Sequence, residues 1–139
     1  MINASPRTVW AAIEDIESHV RWMEDATAIR ITSHRTNGVG TTFDCDTRVG
    51  LLRLVDHMEI TEWKPRRVMG VRHTGAVSGT GRFTLRSLGP GRTRFTWRER
   101  LEFPWWLGGG VGGVVGAEVL RFIWRRNLGN LKHLVERTR

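Results

Sequence analysis

Cysteine is nearly absent: Cys45 is the only one in 139 residues. A lone thiol excludes an intrachain disulfide and any multi-cysteine metal site, and it suits a reducing compartment. Histidine is sparse as well, at His19, His34, His57, His73 and His133. No two of these have the i, i+4 helical spacing of a zinc site. His57 and His73 lie on different strands and could meet in space. Neither a metal nor a cofactor is expected. No Gly-x-Ser-x-Gly nucleophile elbow occurs, and Cys45, on a strand pattern, reads as a small core residue. Met1 to Trp10 shows no long apolar run followed by a cleavage site, so no signal peptide is expected. The longest uncharged apolar run, Trp105 to Ala117, has thirteen residues, short of the roughly 20 that a spanning helix needs. A soluble, cytoplasmic protein is expected.

What remains is ordinary for a globular chain. Hydrophobic residues make up 40 % and charged residues 26 %. Seven Trp and five Phe are enough for a core without a disulfide or metal staple. The length suits one domain, residues 1–139. Twenty-two basic against 14 acidic residues give a net charge of +8, and all the basic residues but Lys64 and Lys132 are arginine. They are scattered: Arg30, Arg53, Arg72, Arg86, Arg98, Arg125. The dispersal reads as general basicity rather than a specific nucleic-acid partner.

Ser5 is a good N-cap and Pro6 a good first helical residue, so a helix is expected over Pro6 to Glu17. Val9, Trp10, Ile13 and Ile16 form its apolar stripe. A short second helix is expected at Val20 to Met23. Strand patterns follow over Ala28–His34, Thr41–Val49, Leu51–Trp63, Arg67–Thr74, Gly79–Leu88 and Arg92–Phe103. In the last two, Gly81, Phe83, Leu85, Phe95, Trp97 and Glu99 alternate with outward Arg82, Thr84, Arg86, Arg94, Thr96, Arg98 and Arg100. Gly89-Pro90-Gly91 marks a hairpin turn. A long amphipathic helix starts between Leu107 and Gly116 and runs to about Arg137. Consecutive hairpins covered by one long helix give an α+β class with an antiparallel sheet. Gly108-x-Gly110-x-x-Gly113 matches a dinucleotide fingerprint, but no second parallel strand follows, so nucleotide binding is not expected.

Several motifs occur together along the chain. They are Ile2-x-Ala4-x-Pro6-x-x-Val9-Trp10 with Ile13, Asp15 and Trp22, then Glu62-Trp63-Lys64-Pro65-Arg66-Arg67, Gly81, Gly91-x-Thr93-Arg94 and Asn130-Leu131-Lys132. In this order the chain resembles the StAR-related lipid-transfer (SRPBCC) superfamily, in particular bacterial polyketide cyclase/dehydrase-like proteins. The resemblance implies a helix-grip fold, a curved antiparallel sheet of six or seven strands around a long C-terminal helix. Two short helices follow the family's first strand, which here is reduced to a stub before Ala4 or lies outside this chain. Its loss would expose a sheet edge, an invitation to homodimerisation. The resemblance also implies an apolar cavity between sheet and helix that binds lipids, polyketides or other hydrophobic small molecules.

The inward members of each strand and helix would line such a cavity: Trp10, Phe43, Leu54, Met58, Met69, Val71, Phe83, Phe95, Trp97, Leu120 and Trp124. Asp56, His73 and Glu99 are polar residues on these apolar faces. A buried carboxylate is costly unless paired. Either a neighbouring strand supplies an ionic partner such as Arg, or the positions are solvated near a sheet end, or these groups line the cavity and orient a ligand, where burial would raise a carboxyl pKa and suit it to acid/base work. Binding or transport of a hydrophobic molecule is the leading expectation. A cyclase or dehydratase acting on a polyketide-like substrate through Asp56, His73 and Glu99 is the alternative. Trp105, Trp106, Gly110 and Gly113 form the expected gate, since five glycines in Gly108 to Gly113 loosen the helix start and tryptophans favour a wet boundary. A transient membrane contact there is a further expectation.

Overall fold

The computed structural model describes the backbone of all residues except Gly50, Ala76, 103–108 and Arg139, and the side chains of these residues except Leu52, 109–119 and Thr138. Helix α1 (Pro6–Ile13) is followed by a 3-10 turn (Ile16–Arg21). Six strands come next, β1 (Ala26–Ile31), β2 (Thr42–Val49), β3 (Leu52–Lys64), β4 (Val68–Thr74), β5 (Ser78–Ser87) and β6 (Thr93–Glu102), then α2 (Gly109–Thr138). The strands form one curved sheet in sequence order, every neighbouring pair antiparallel.

The Ser5 hydroxyl accepts from the Thr8 amide at 3.3 Å and caps α1. The helix stops at Ile13, four residues earlier than the apolar stripe suggests. The His19 imidazole turns back and donates to the Ile13 carbonyl at 2.7 Å, satisfying an end group that another helical turn would have used. The short helix accordingly covers Ile16–Arg21 rather than Val20–Met23. His19 is buried, and desolvation holds its pKa below the usual value, so it is neutral.

Ahead of α1 the chain joins the sheet through a single antiparallel bridge. Ile2 and Thr93 exchange both backbone hydrogen bonds, at 2.8 and 2.9 Å. The fully buried Thr93 hydroxyl donates to the Ala4 carbonyl at 2.7 Å, so the stub is stitched to the start of β6.

The core lies on the concave face of the sheet, under α1, the 3-10 turn and the C-terminal half of α2. Trp22, Ile13, Ile16, Ile60, Leu131 and Val135 are fully buried there. Phe83 is the aromatic hub, 5.8 Å from Trp22, 5.2 Å from Phe95 and 5.3 Å from Trp97 between ring centroids. Trp97 in turn stacks toward Trp124 of α2 at 5.7 Å. Asn127, fully buried on α2, accepts from the Glu24 amide at 2.9 Å and donates to Asp25 at 2.7 Å. Beside it, Asn130 donates to the Trp22 carbonyl at 3.2 Å. Two amide side chains thus fasten the helix to the segment that enters β1.

Candidate functional site

Asp56, His73 and Glu99 come together on the concave face. β3 and β4 pair with Met58 opposite His73, and β5 and β6 with Gly81 opposite Glu99. A bulge between Ile60 and Glu62 sets the β3–β4 offset. His73 Nδ1 donates to the Asp56 carboxylate, 3.1 Å from Oδ1 and 3.0 Å from Oδ2. His73 Nε2 donates to Glu99 Oε2 at 3.1 Å, and Trp97 Nε1 donates to Glu99 Oε1 at 2.9 Å. Side-chain exposure is 6 % for His73, 16 % for Asp56 and 9 % for Glu99. The ionic partner of the two buried carboxylates is therefore a histidine rather than an arginine.

An imidazole that donates from both nitrogens is an imidazolium. Burial by itself lowers the His73 pKa. The hydrogen bonds to Asp56 and Glu99, and their charges, outweigh it and raise the pKa to about 9. At neutral pH the cluster holds one positive and two negative charges. The residual negative charge can accept a hydrogen bond from a hydroxyl or ammonium group, and the imidazolium can release a proton.

Two glycines make the site possible. A Cβ on Gly81 would lie 2.5 Å from Glu99 Oε2, so the carboxylate rests on bare backbone. Gly79, opposite His73, has φ +131°, and a Cβ there would meet the Arg100 carbonyl at 1.9 Å. Cys45 sits opposite Asp56. Burial pushes its thiol up to about 11, so Cys45 is a protonated core residue.

The expected lining residues divide into two groups. Trp10, Phe43, Met69, Phe83 and Phe95 are buried in the packed core. Leu54, Met58, Val71, Trp97, Leu120 and Trp124 stay half-buried; Met58 and Val71 stand in the rows of the charged cluster, and Trp97 donates to Glu99. Trp10 belongs to the other end of the strands, edge-to-face with Trp63 at 5.2 Å. There Arg7, Trp10, Ala11, Glu14, Asn37, Trp63, Pro65 and Arg66 line an open groove of about 360 Å³. His57 does not approach His73. It alternates to the outer face and bonds Asp44 at 2.6 Å. Trp105 and Trp106 lie outside the described residues; Gly110 and Gly113 fall within α2, their surroundings undescribed. Among the described residues no group of three or more His, Cys, Asp or Glu is placed to hold a metal ion, and no helix is long and apolar enough to cross a membrane.

Sequence reasoning missed Asn127, whose partners lie about a hundred residues away in the chain. A polar residue on an otherwise apolar helix stripe was the available signal.

No curated protein matches the chain. Solved structures share its fold. TTHA0849 from Thermus thermophilus superposes with a TM-score of 0.78 at 17 % identity, over 99 % of this chain and 93 % of that one. A START superfamily protein from Mycobacterium smegmatis gives 0.76 at 14 % identity, over 99 % and 94 %. The Zhui aromatase/cyclase from a Streptomyces species gives 0.71 at 17 % identity, over 98 % and 89 %. The family model for polyketide cyclase/dehydrase and lipid transport matches residues 1–136, and the chain belongs to that family.

Proposed function

We propose that this protein binds a hydrophobic small molecule of the lipid or polyketide-like class between the concave sheet face and α2, with Asp56, His73 and Glu99 holding the ligand's polar end. The observation that carries the reading is the half-burial of Leu54, Met58, Val71, Trp97, Leu120 and Trp124 together with the charged cluster on the same face. The excess negative charge there suits a ligand ending in a hydroxyl or ammonium group rather than a carboxylate. The same reading takes residues 1–139 as one domain in the cytoplasm that exchanges its ligand by transient membrane contact and can pair through its sheet edge. Native mass spectrometry of the purified protein, with extraction of any co-purified compound, tests it. An apolar adduct is expected, together with enhanced Nile red fluorescence that Val71→Asp abolishes. Absence of both adduct and dye binding refutes the reading.

A second reading is favoured by one observation: an imidazolium with a pKa near 9 within hydrogen-bond reach of two carboxylates is a proton donor suited to dehydration or cyclisation. In that case Glu99→Gln or Asp56→Asn abolishes turnover of a polyketide-like substrate while Nile red binding persists. Unchanged turnover in both variants refutes it.

A further inference from the structure

The outer face of the sheet separates its charges. Across β1 to β4 most acidic and basic groups alternate and pair, Arg30 with Asp46 at 2.8 Å, His57 with Asp44 at 2.6 Å and Arg72 with Glu59 at 3.3 Å; the alternation breaks at Arg48, set opposite Arg53 at the turn end of β2 and β3. On the β5–β6 ribbon the pattern changes. The register sets Arg86 directly opposite Arg94 and Arg82 directly opposite Arg98, with Thr84 and Thr96 between the two pairs and Thr80 opposite Arg100 beyond them. Arg82 reaches Glu62 at 3.0 Å. Arg86, Arg94, Arg98 and Arg100 are exposed and have no ion-pair partner among the described residues. Glu102, beside Arg100, is the one acid on this face of the ribbon. Like charges directly opposite each other destabilise a sheet, and local rules are broken where function requires it. Residues dispersed in the sequence are thus gathered into two files of guanidinium groups, stepped about 13 Å apart along each strand, with Arg100 about 7 Å beyond Arg98.

We propose that this face is a docking surface for the phosphate backbone of a single-stranded nucleic acid, held without reading its bases. Guanidinium groups are planar forks that grip phosphate oxygens in pairs, and the threonine hydroxyls between them add neutral donors of the kind that position a backbone. The ribbon's outward side chains include no aromatic or aliphatic group. There is nothing to insert into a bilayer, no aromatic anchor for a protein interface and nothing to stack or discriminate bases. The sheet curves around its helix, so this face is convex. A planar membrane meets such a surface along few rows, whereas a flexible strand can follow all of them. The concave ligand site is on the opposite side of the sheet, so the two activities are separable.

The test is fluorescence anisotropy of a labelled oligothymidine across a salt series. Binding is expected at low salt, weakening with a log–log slope of about −0.7 per phosphate contacted. Arg94→Gln/Arg98→Gln is expected to weaken it about tenfold and make the slope shallower by about 1.4. Its thermal midpoint should equal or exceed the wild-type value, because two like-charge pairs are relieved. Arg30→Gln/Arg72→Gln, on the paired half of the face, should bind as wild type does. Failure of the oligonucleotide to bind at low salt overturns the proposal, as does a double variant at Arg94 and Arg98 that binds undiminished. Phosphatidylserine vesicles and polyglutamate are the competing partners. If either binds as tightly as the oligonucleotide, with the same dependence on Arg94 and Arg98, the nucleic-acid assignment is overturned in its favour.

Discussion

Raising the pH removes the proton that holds Asp56, His73 and Glu99 together, and the cost follows from the site. His73 titrates at about 9 in the folded protein against 6.5 for an ordinary histidine. Protonation is therefore tighter in the folded state. The resulting stabilisation is fully present below about pH 6.5 and is lost as the pH rises through about 9. At about 1.4 kcal/mol per pKa unit, this amounts to about 3 kcal/mol, a large share of the 5–15 kcal/mol typical of a domain. With an m-value of about 2 kcal/mol/M the urea midpoint should fall by about 1.5 M across that range. The window is unusually clean. The chain has no tyrosine and two lysines, and the buried Cys45 thiol penalises the folded state only above its reference pKa of 9.0. Urea titrations at several pH values, read by tryptophan fluorescence, measure the fall. His73→Gln should flatten it while lowering stability at the acid end of the window. A wild-type midpoint constant between pH 6.5 and 9, or an undiminished fall in His73→Gln, refutes the reasoning.

Other consequences are open to measurement. Gly81→Ala drives a methyl group into Glu99 Oε2; it should cost about 1–3 kcal/mol and, by NMR titration, lower the His73 pKa as the carboxylate is pushed away. Asn127→Ala leaves the Glu24 amide and the Asp25 carboxylate without their helix partner; a loss of about 2 kcal/mol in chemical denaturation is expected. His19 behaves oppositely to His73. Its pKa is lowered by burial, so its contribution is present above about pH 6.5 and lost as the pH falls below that value; His19→Gln should remove this acid limb from the stability profile.

The strands were legible because period-two alternation and turn residues are local signals. Thr93–Glu102 differs by one residue at each end from the alternating run Arg92–Phe103. The end of α1 was not legible, because it depends on the His19 side chain returning to the Ile13 carbonyl, a contact no periodicity encodes. The charged cluster was half legible. Asp56, His73 and Glu99 each stood out as polar residues on apolar faces. That His73 bridges the other two depends on the pairing register and on a bulge in β3, which are properties of the assembled sheet. The same holds for the arginine files of β5 and β6, which look dispersed until Arg82 meets Arg98 and Arg86 meets Arg94.

The single cysteine gives the molecule a built-in clock. Only a thiolate attacks a disulfide reagent, and Cys45, on the concave face of β2, is both buried and held un-ionised to about pH 11. Labelling must then wait for the layer packed on the concave face to lift away from β2. Divided by the rate for an unstructured thiol, the labelling rate gives the free energy of that opening, with no second cysteine to confuse the count. A ligand seated against Asp56 should slow the clock, so one colourimetric assay could follow occupancy of the concave face for candidate compounds without a label or a substrate assay.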